Sequence, residues 1–189
     1  QEFFGKLYKK DKKNFYIYYD TYIKQISYLL TFLGINLNTA PVLDVRRSFS
    51  DKIIGDRSYS FDPKVVSKLG DFCISKFHKN HIGTVIKHIP GHGLSRVDSH
   101  KKLPILKNNI KEFYKKDFKP FVNKKSLFAM TAHIVYKNFD SNNCATHSKK
   151  IIQLIRKKIG FKNLILSDDI SMKALKFSLR ENTARSFTA

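Results

Sequence analysis

Acidic residues are scarce. The chain has 15 Asp and Glu against 36 Lys and Arg, for a formal charge of +21. Such an imbalance first suggests a nucleic-acid partner. The lysines are nevertheless scattered along the chain as pairs such as Lys101-Lys102 and Lys124-Lys125, among Ile and Asn, and form no single basic stripe. No zinc-finger, basic-zipper or RNP-type motif accompanies them, so the expectation is weak polyanion affinity and no specific nucleic-acid partner. Cysteine is nearly absent: Cys73 and Cys144 stand alone, with no Cys-x-x-Cys. That excludes a disulfide framework and predicts two buried free thiols in a reducing compartment. No run is apolar enough to span a bilayer and no secretory signal opens the chain, so no membrane partner is expected and the cytoplasm is the expected location. The chain opens on Gln1 rather than Met, which suggests that an N-terminal piece is missing.

What is present is a sizeable globular chain of 189 residues, 42% hydrophobic and 13% aromatic, enough for one domain with a core. It is organised around Lys87-His88-Ile89-Pro90-Gly91-His92-Gly93 followed by Asp98-Ser99-His100. Thr84-Val85-Ile86 ahead of it reads as the end of a buried strand. The polar cluster therefore begins where a strand stops and a glycine-rich loop starts, a place suited to groups held by a rigid scaffold. Asp98 stands two positions from His100, close enough in sequence for its carboxylate to orient the imidazole for proton transfer.

Around this loop the pattern alternates. Apolar residues at Ile23, Ile26, Leu29, Leu30 and Leu33 predict a helix over about 14–33, ended by Gly34. Residues 35–45 read as a strand delivering Asp44 to a loop. Asp62-Pro63 reads as a helix start, with Val65, Val66, Leu69, Phe72, Cys73 and Phe77 as the buried face. A strand over 83–88 follows. A helix is predicted from Ile110 to about Val122, broken locally at Pro120, and then a strand over 127–133. Ser148 caps a helix closed by Gly160; Leu164-Ile165-Leu166 forms a fourth strand ending at Ser167-Asp168-Asp169. Met172, Leu175 and Leu179 are predicted to begin another helix.

Strand alternating with helix argues for a parallel sheet. Asp44, His88, His133 and Asp168 fall at successive strand ends, 44, 45 and 35 residues apart. An ionisable side chain at the C-terminal end of each strand is the pattern of a (β/α)8 TIM-barrel face. A doubly wound sheet, the rival, needs a polar group only at its switch point. A full barrel takes about 250 residues and eight strands. The expectation here is an α/β fold with a partial barrel of about four βα units, in one domain over residues 1–189.

The motifs Lys87-His88-Ile89-Pro90-Gly91-His92-Gly93, Asp98-Ser99-His100, Leu103-Pro104, Ala129-Met130-Thr131-Ala132-His133 and Ser167-Asp168-Asp169-Ile170-Ser171-Met172 resemble those of the bacterial β-N-acetylhexosaminidases of glycoside hydrolase family 3. Ala40-Pro41-Val42-Leu43-Asp44-Val45 and Ile54-Gly55-Asp56-Arg57-Ser58 match as well, so the likeness covers nearly the whole chain. The resemblance implies a barrel enzyme that removes N-acetylglucosamine from peptidoglycan fragments in cell-wall recycling, by a retaining mechanism. It places the nucleophile at Asp168 and the general acid/base at His100, tuned by Asp98. Arg57, Lys87 and His88 fall on sugar-binding positions. It implies no metal and no cofactor. Asp169 is expected to hold neighbouring backbone N–H groups, His133 to line the pocket and His92 to shape the loop.

The family's barrel has strands before Gln1 and one after Ala189, and the strand before this chain carries an Asp and an Arg that grip the sugar. The expected partners are a muropeptide or small N-acetylglucosamine glycoside, and a separate chain supplying the missing strands. The competing expectation is a non-catalytic remnant of a split or decaying gene with weak sugar or polyanion binding.

Overall fold

The structure is a computed structural model that describes residues 1–48, 54–97, 99 and 102–189. Helices α1 (Glu2–Lys10) and α2 (Lys12–Phe32) come first. Asp11 separates them and caps α2 by accepting from Asn14 N. The sequence pattern missed α1 and began α2 two residues late. In the lysine-rich opening, Phe4, Leu7 and Tyr8 carry the helical stripe that the charges obscure. Gly34, at φ +73°, ends α2 as expected.

Helix α3 (Pro63–Lys79) is capped by Asp62 with proline in its first turn. The helix predicted from Ile110 is a composite: α4 (Ile110–Glu112), a π-helical turn over Phe113–Asp117, and a 3-10 turn over Lys119–Phe121 that carries Pro120. Helix α5 (Lys149–Leu154) starts at the Ser148 cap, runs into a π-helical turn over Ile155–Ile159, and closes at Gly160, φ +79°. Helix α6 (Leu179–Thr188) begins later than predicted, at the Ser178 cap. Met172 and Leu175 lie in turns before it.

Strands β1 (Leu37–Asn38), β2 (Gly83–Ile89), β4 (Phe128–Thr131) and β6 (Leu164–Leu166) make one parallel sheet in the order β1-β2-β4-β6. The strand predicted over 35–45 is shorter than its pattern. Its second half still runs beside β2, through a Val42–Lys87 bridge and the bond from Leu43 N to Lys87 O. Spatial order follows chain order without the reversal of a doubly wound sheet, and a helical segment lies in every crossover. This is the winding of four successive βα units of a barrel.

A second parallel ladder joins β3 (Ile105–Leu106) to β5 (Val135–Tyr136), both in the segments that follow main-sheet strands. Two-residue strands carry no periodicity, and the sequence pattern did not show them.

The core lies between sheet and helices, with Leu43, Val66, Leu69, Ile86, Ala129, Ile151, Ile155 and Phe161 all fully buried. Within the same core an aromatic group of Phe113, Phe118 and Tyr136 packs under the loop after β2, and the Tyr136 hydroxyl donates to Gly91 O at 2.6 Å. Both cysteines are buried and unpaired, as the composition predicted. Among the described residues no helix is long and apolar enough to cross a membrane.

Candidate active site

The site is built at the C-terminal ends of the main strands. Pairing of β2 with β4 runs Lys87 to Met130 and then Ile89 to Thr131, so His88 is the extra residue of a bulge. A bulge re-aims a side chain, and here His88 turns to Asp44, which follows the Val42 bridge on the neighbouring segment. His88 Nδ1 lies 2.7 Å from Asp44 Oδ2, and His88 N donates to both Asp44 oxygens at 3.3 Å. His92 N donates to Asp44 Oδ1 at 2.7 Å. Burial alone would push the Asp44 carboxyl up, but His88 and His92 together hold it below the usual carboxylate range. A carboxylate can only accept, so His88 Nδ1 carries the proton and Nε2 faces outward. Nε2 lies 4.0 Å from Asp168 Oδ2, past the end of β6.

Asp168 is itself fixed. Its Oδ1 accepts from Asp169 N at 2.8 Å, while Oδ2 is turned to His88. Burial, and after it the Arg57 guanidinium, lowers the Lys87 ammonium, against the smaller pull of the Asp168 and Asp44 carboxylates. Lys87 thus stands among both carboxylates and Arg57, which ends the 3-10 turn Gly55–Arg57. Four of the residues expected at one face, Asp44, Lys87, His88 and Asp168, therefore converge, and Arg57 joins them. Asp98 and His100 lie outside the described residues. Ser99 between them has its Oγ 3.2 Å from His92 Nε2. Burial lowers the His92 imidazole to about 4, so it is neutral at neutral pH. His92 ties the loop to Asp44 through its backbone and to Ser99 through its ring, consistent with the loop-shaping expectation.

Asp44 was expected at this face as a strand end; its pairing with His88, 44 residues away, was not. Asp169 accepts from Ser171 N and Oγ at 2.8 and 2.6 Å, the backbone-holding role expected of it. His133 does more than line the pocket: Nε2 reaches Asp169 O at 3.0 Å. Helix α6 holds the same segment, where Asn182 Nδ2 donates to Ile170 O and Phe177 O, each at 3.1 Å.

Behind the loop, Asp117 on the π-helical turn is wholly buried and pairs with Arg47 at 3.2 Å. Gly91 and Gly93 pass so close to it that a Cβ on Gly91 would fall 2.7 Å from Asp117 O, and one on Gly93 2.8 Å from Asp117 Oδ1. Burial pushes the Asp117 carboxyl up to about 7, against the pull of Arg47. A raised carboxyl binds its proton more tightly in the folded chain. Its stabilising contribution is complete below about pH 4 and is lost as pH rises through about 7. Denaturant unfolding across that window is expected to show a flatter pH dependence for Asp117→Asn than for wild type. Parallel curves would show that Asp117 is ionised throughout.

Among the described residues no group of three or more His, Cys, Asp or Glu is arranged to hold a metal ion.

The glycosyl hydrolase family 3 N-terminal domain model matches residues 14–189. The chain belongs to this family. It is 33% identical over 158 residues to a beta-hexosaminidase of Nitrosomonas eutropha, covering 80% of this chain and 45% of the relative. It is 36% identical over 148 residues to one of Shewanella frigidimarina, covering 76% and 43%. Among solved structures, NagZ from Neisseria gonorrhoeae in complex with N-trifluoroacetyl-D-glucosamine superposes with a TM-score of 0.87 at 29% identity, over 98% of this chain and 54% of that one. A family 3 beta-N-acetylglucosaminidase from Paenibacillus sp. FPU-7 gives 0.84 at 28%, over 88% and 33%. The fold is the family's TIM-barrel-like α/β fold, present in part, and the chain spans less than half the length of the curated relatives it matches.

Proposed function

We propose that this chain carries the catalytic face of a retaining β-N-acetylhexosaminidase that releases N-acetylglucosamine from peptidoglycan fragments in cell-wall recycling. The observation that carries the reading is the line Asp44–His88–Asp168 at the strand ends, with Lys87 and Arg57 beside it. It supplies an anchored carboxylate, the Lys87 and Arg57 donors and the outward His88 Nε2 on one face, which is what binding a sugar and attacking its anomeric carbon require. In this reading Asp168 Oδ2 attacks the anomeric carbon as His100, oriented by Asp98, gives its proton to the leaving oxygen. A glycosyl ester on Asp168 results. His100 then takes a proton from water, whose oxygen displaces Asp168 and regenerates its carboxylate. Arg57, Lys87 and His88 hold sugar hydroxyls. Two unpaired buried thiols suit a cytoplasmic setting.

The remaining barrel strands, in the same polypeptide or a separate chain, would pack on the open edges of the sheet. Leu164 of the edge strand β6 is largely exposed there.

A chromogenic N-acetylglucosaminide, given to the chain alone and together with polypeptides carrying the family's first three strands and its last, tests the reading. Turnover in the second mixture is expected. Absence of turnover from both, with the polypeptides associated, would favour the non-catalytic remnant. In the active form, His100→Ala should slow a poor alkyl leaving group by about 10²–10⁴-fold and an activated aryl leaving group far less. Equal slowing of both would move the proton donor to another residue.

A further inference from the structure

We infer that His133 is a positioning residue for Asp168, acting through the Asp169 backbone at the end of a one-way hydrogen-bond chain. The inference rests on Asp168 being the nucleophile. His133 follows β4 and is almost wholly buried. The Asp169 carbonyl can only accept, so Nε2, 3.0 Å away, must carry a proton. Burial lowers the imidazole, so the ring is neutral and Nδ1 is an acceptor. Thr146 Oγ1, 2.7 Å from Nδ1, therefore donates to it. That uses the Thr146 hydroxyl proton, so Thr131 Oγ1, 2.9 Å further on, donates to Thr146. The order is Thr131 to Thr146 to His133 to the Asp169 carbonyl; Ala132 O, 3.4 Å from Thr146 Oγ1, is the more distant acceptor for that hydroxyl.

This chain ends where it matters for the reaction. Asp169 O also accepts from Met172 N at 3.1 Å, so the peptide after Asp169 is held from two sides. Asp169 N in turn holds Asp168 Oδ1 at 2.8 Å. With Oδ1 occupied, the carboxylate presents Oδ2 to the face that His88 occupies. The neighbouring strand β4 thus fixes which oxygen of the strand β6 carboxylate is turned to the site. Freedom removed before substrate arrives is freedom that need not be lost in reaching the transition state.

Three measurements test this, two of which need no turnover. The ring nitrogens of His133 in the labelled full chain should show a protonated Nε2 and an unprotonated Nδ1 at neutral pH. His133→Phe should accelerate amide exchange at Asp169, Ser171 and Met172 while exchange in β2 and β4 is unchanged, and His133→Gln, which keeps a donor and an acceptor, should restore protection. Thr146→Val, which removes only the hydroxyl, should reproduce the effect if His133→Phe fails to fold. Where the completed barrel turns over, His133→Phe should lower kcat by about 100-fold with KM nearly unchanged, and His133→Gln should recover most of it. A protonated Nδ1, or unchanged exchange at the three amides in a folded variant, would overturn the inference. A wild-type barrel without turnover would instead overturn the glycosidase reading and leave the exchange result to decide the role of His133.

Discussion

Asp168→Asn is expected to reduce turnover of the completed barrel by three orders of magnitude or more, which corresponds to about 4 kcal/mol of lost transition-state stabilisation. The side chain keeps its size, and its carbonyl oxygen can still accept from Asp169 N, the bond that now holds Oδ1 at 2.8 Å. What disappears is the charge on the oxygen beside His88, and with it the glycosyl ester. Asp168 is partly exposed, so losing its charge leaves no unpaired group deep in the core, and folding stability should change little. Three readings separate the cases: turnover of an activated aryl N-acetylglucosaminide, labelling by a fluoro-sugar that traps the ester, and the unfolding midpoint. Lost turnover and lost labelling with an unchanged midpoint is the expected set. Labelling that survives in Asp168→Asn would place the nucleophile on another residue.

The residues that were legible in the sequence are those whose role is settled by neighbours in the chain. Asp62-Pro63, Ser148, Gly34 and Gly160 mark helix ends because caps and left-handed turns are decided within four residues. Asp44, His88 and Asp168 could be placed at strand ends by periodicity and breaks alone. The residues that stayed hidden act across the sheet. Nothing near Asp44 in sequence says that its carboxylate is wholly buried and accepts from two residues of the next strand and loop. Nothing near His133 says that its ring will meet a carbonyl 36 positions on. Both contacts depend on strand register, and the one at Asp44 also depends on a bulge at His88 that no local residue preference announces. The composite helix after Ile110 was misjudged for a related reason. Phe113 and Phe118 turn into one aromatic core with Tyr136, and that packing overrides the regular α-helical repeat.

Asp44→Asn is the substitution expected to damage both stability and activity. The carboxylate has no exposed surface, yet it is ionised because His88 and His92 surround it. The amide can still accept from His92 N through its oxygen. Its NH2 group then faces His88 N and Nδ1, which are both donors. One of two things must follow: a buried N–H loses its acceptor, or the His88 ring moves its proton to Nε2 to avoid the clash. Breaking a buried pair in this way costs about 3 kcal/mol. A ring that gives up its Nδ1 proton would lose the bond to Asp44 that orients it beside Asp168. Turnover should then fall by about 100-fold or more even at temperatures where the variant is fully folded. The stability difference has a definite pH course. The folded Asp44 carboxyl lies below its unfolded value, so its contribution is present above about pH 4 and disappears as pH falls through the folded value. Unfolding curves of wild type and Asp44→Asn should therefore be well separated at neutral pH and converge in acid. A separation that persists unchanged in strong acid would mean that the cost is one of packing, and that the charge of Asp44 does not hold His88 in place.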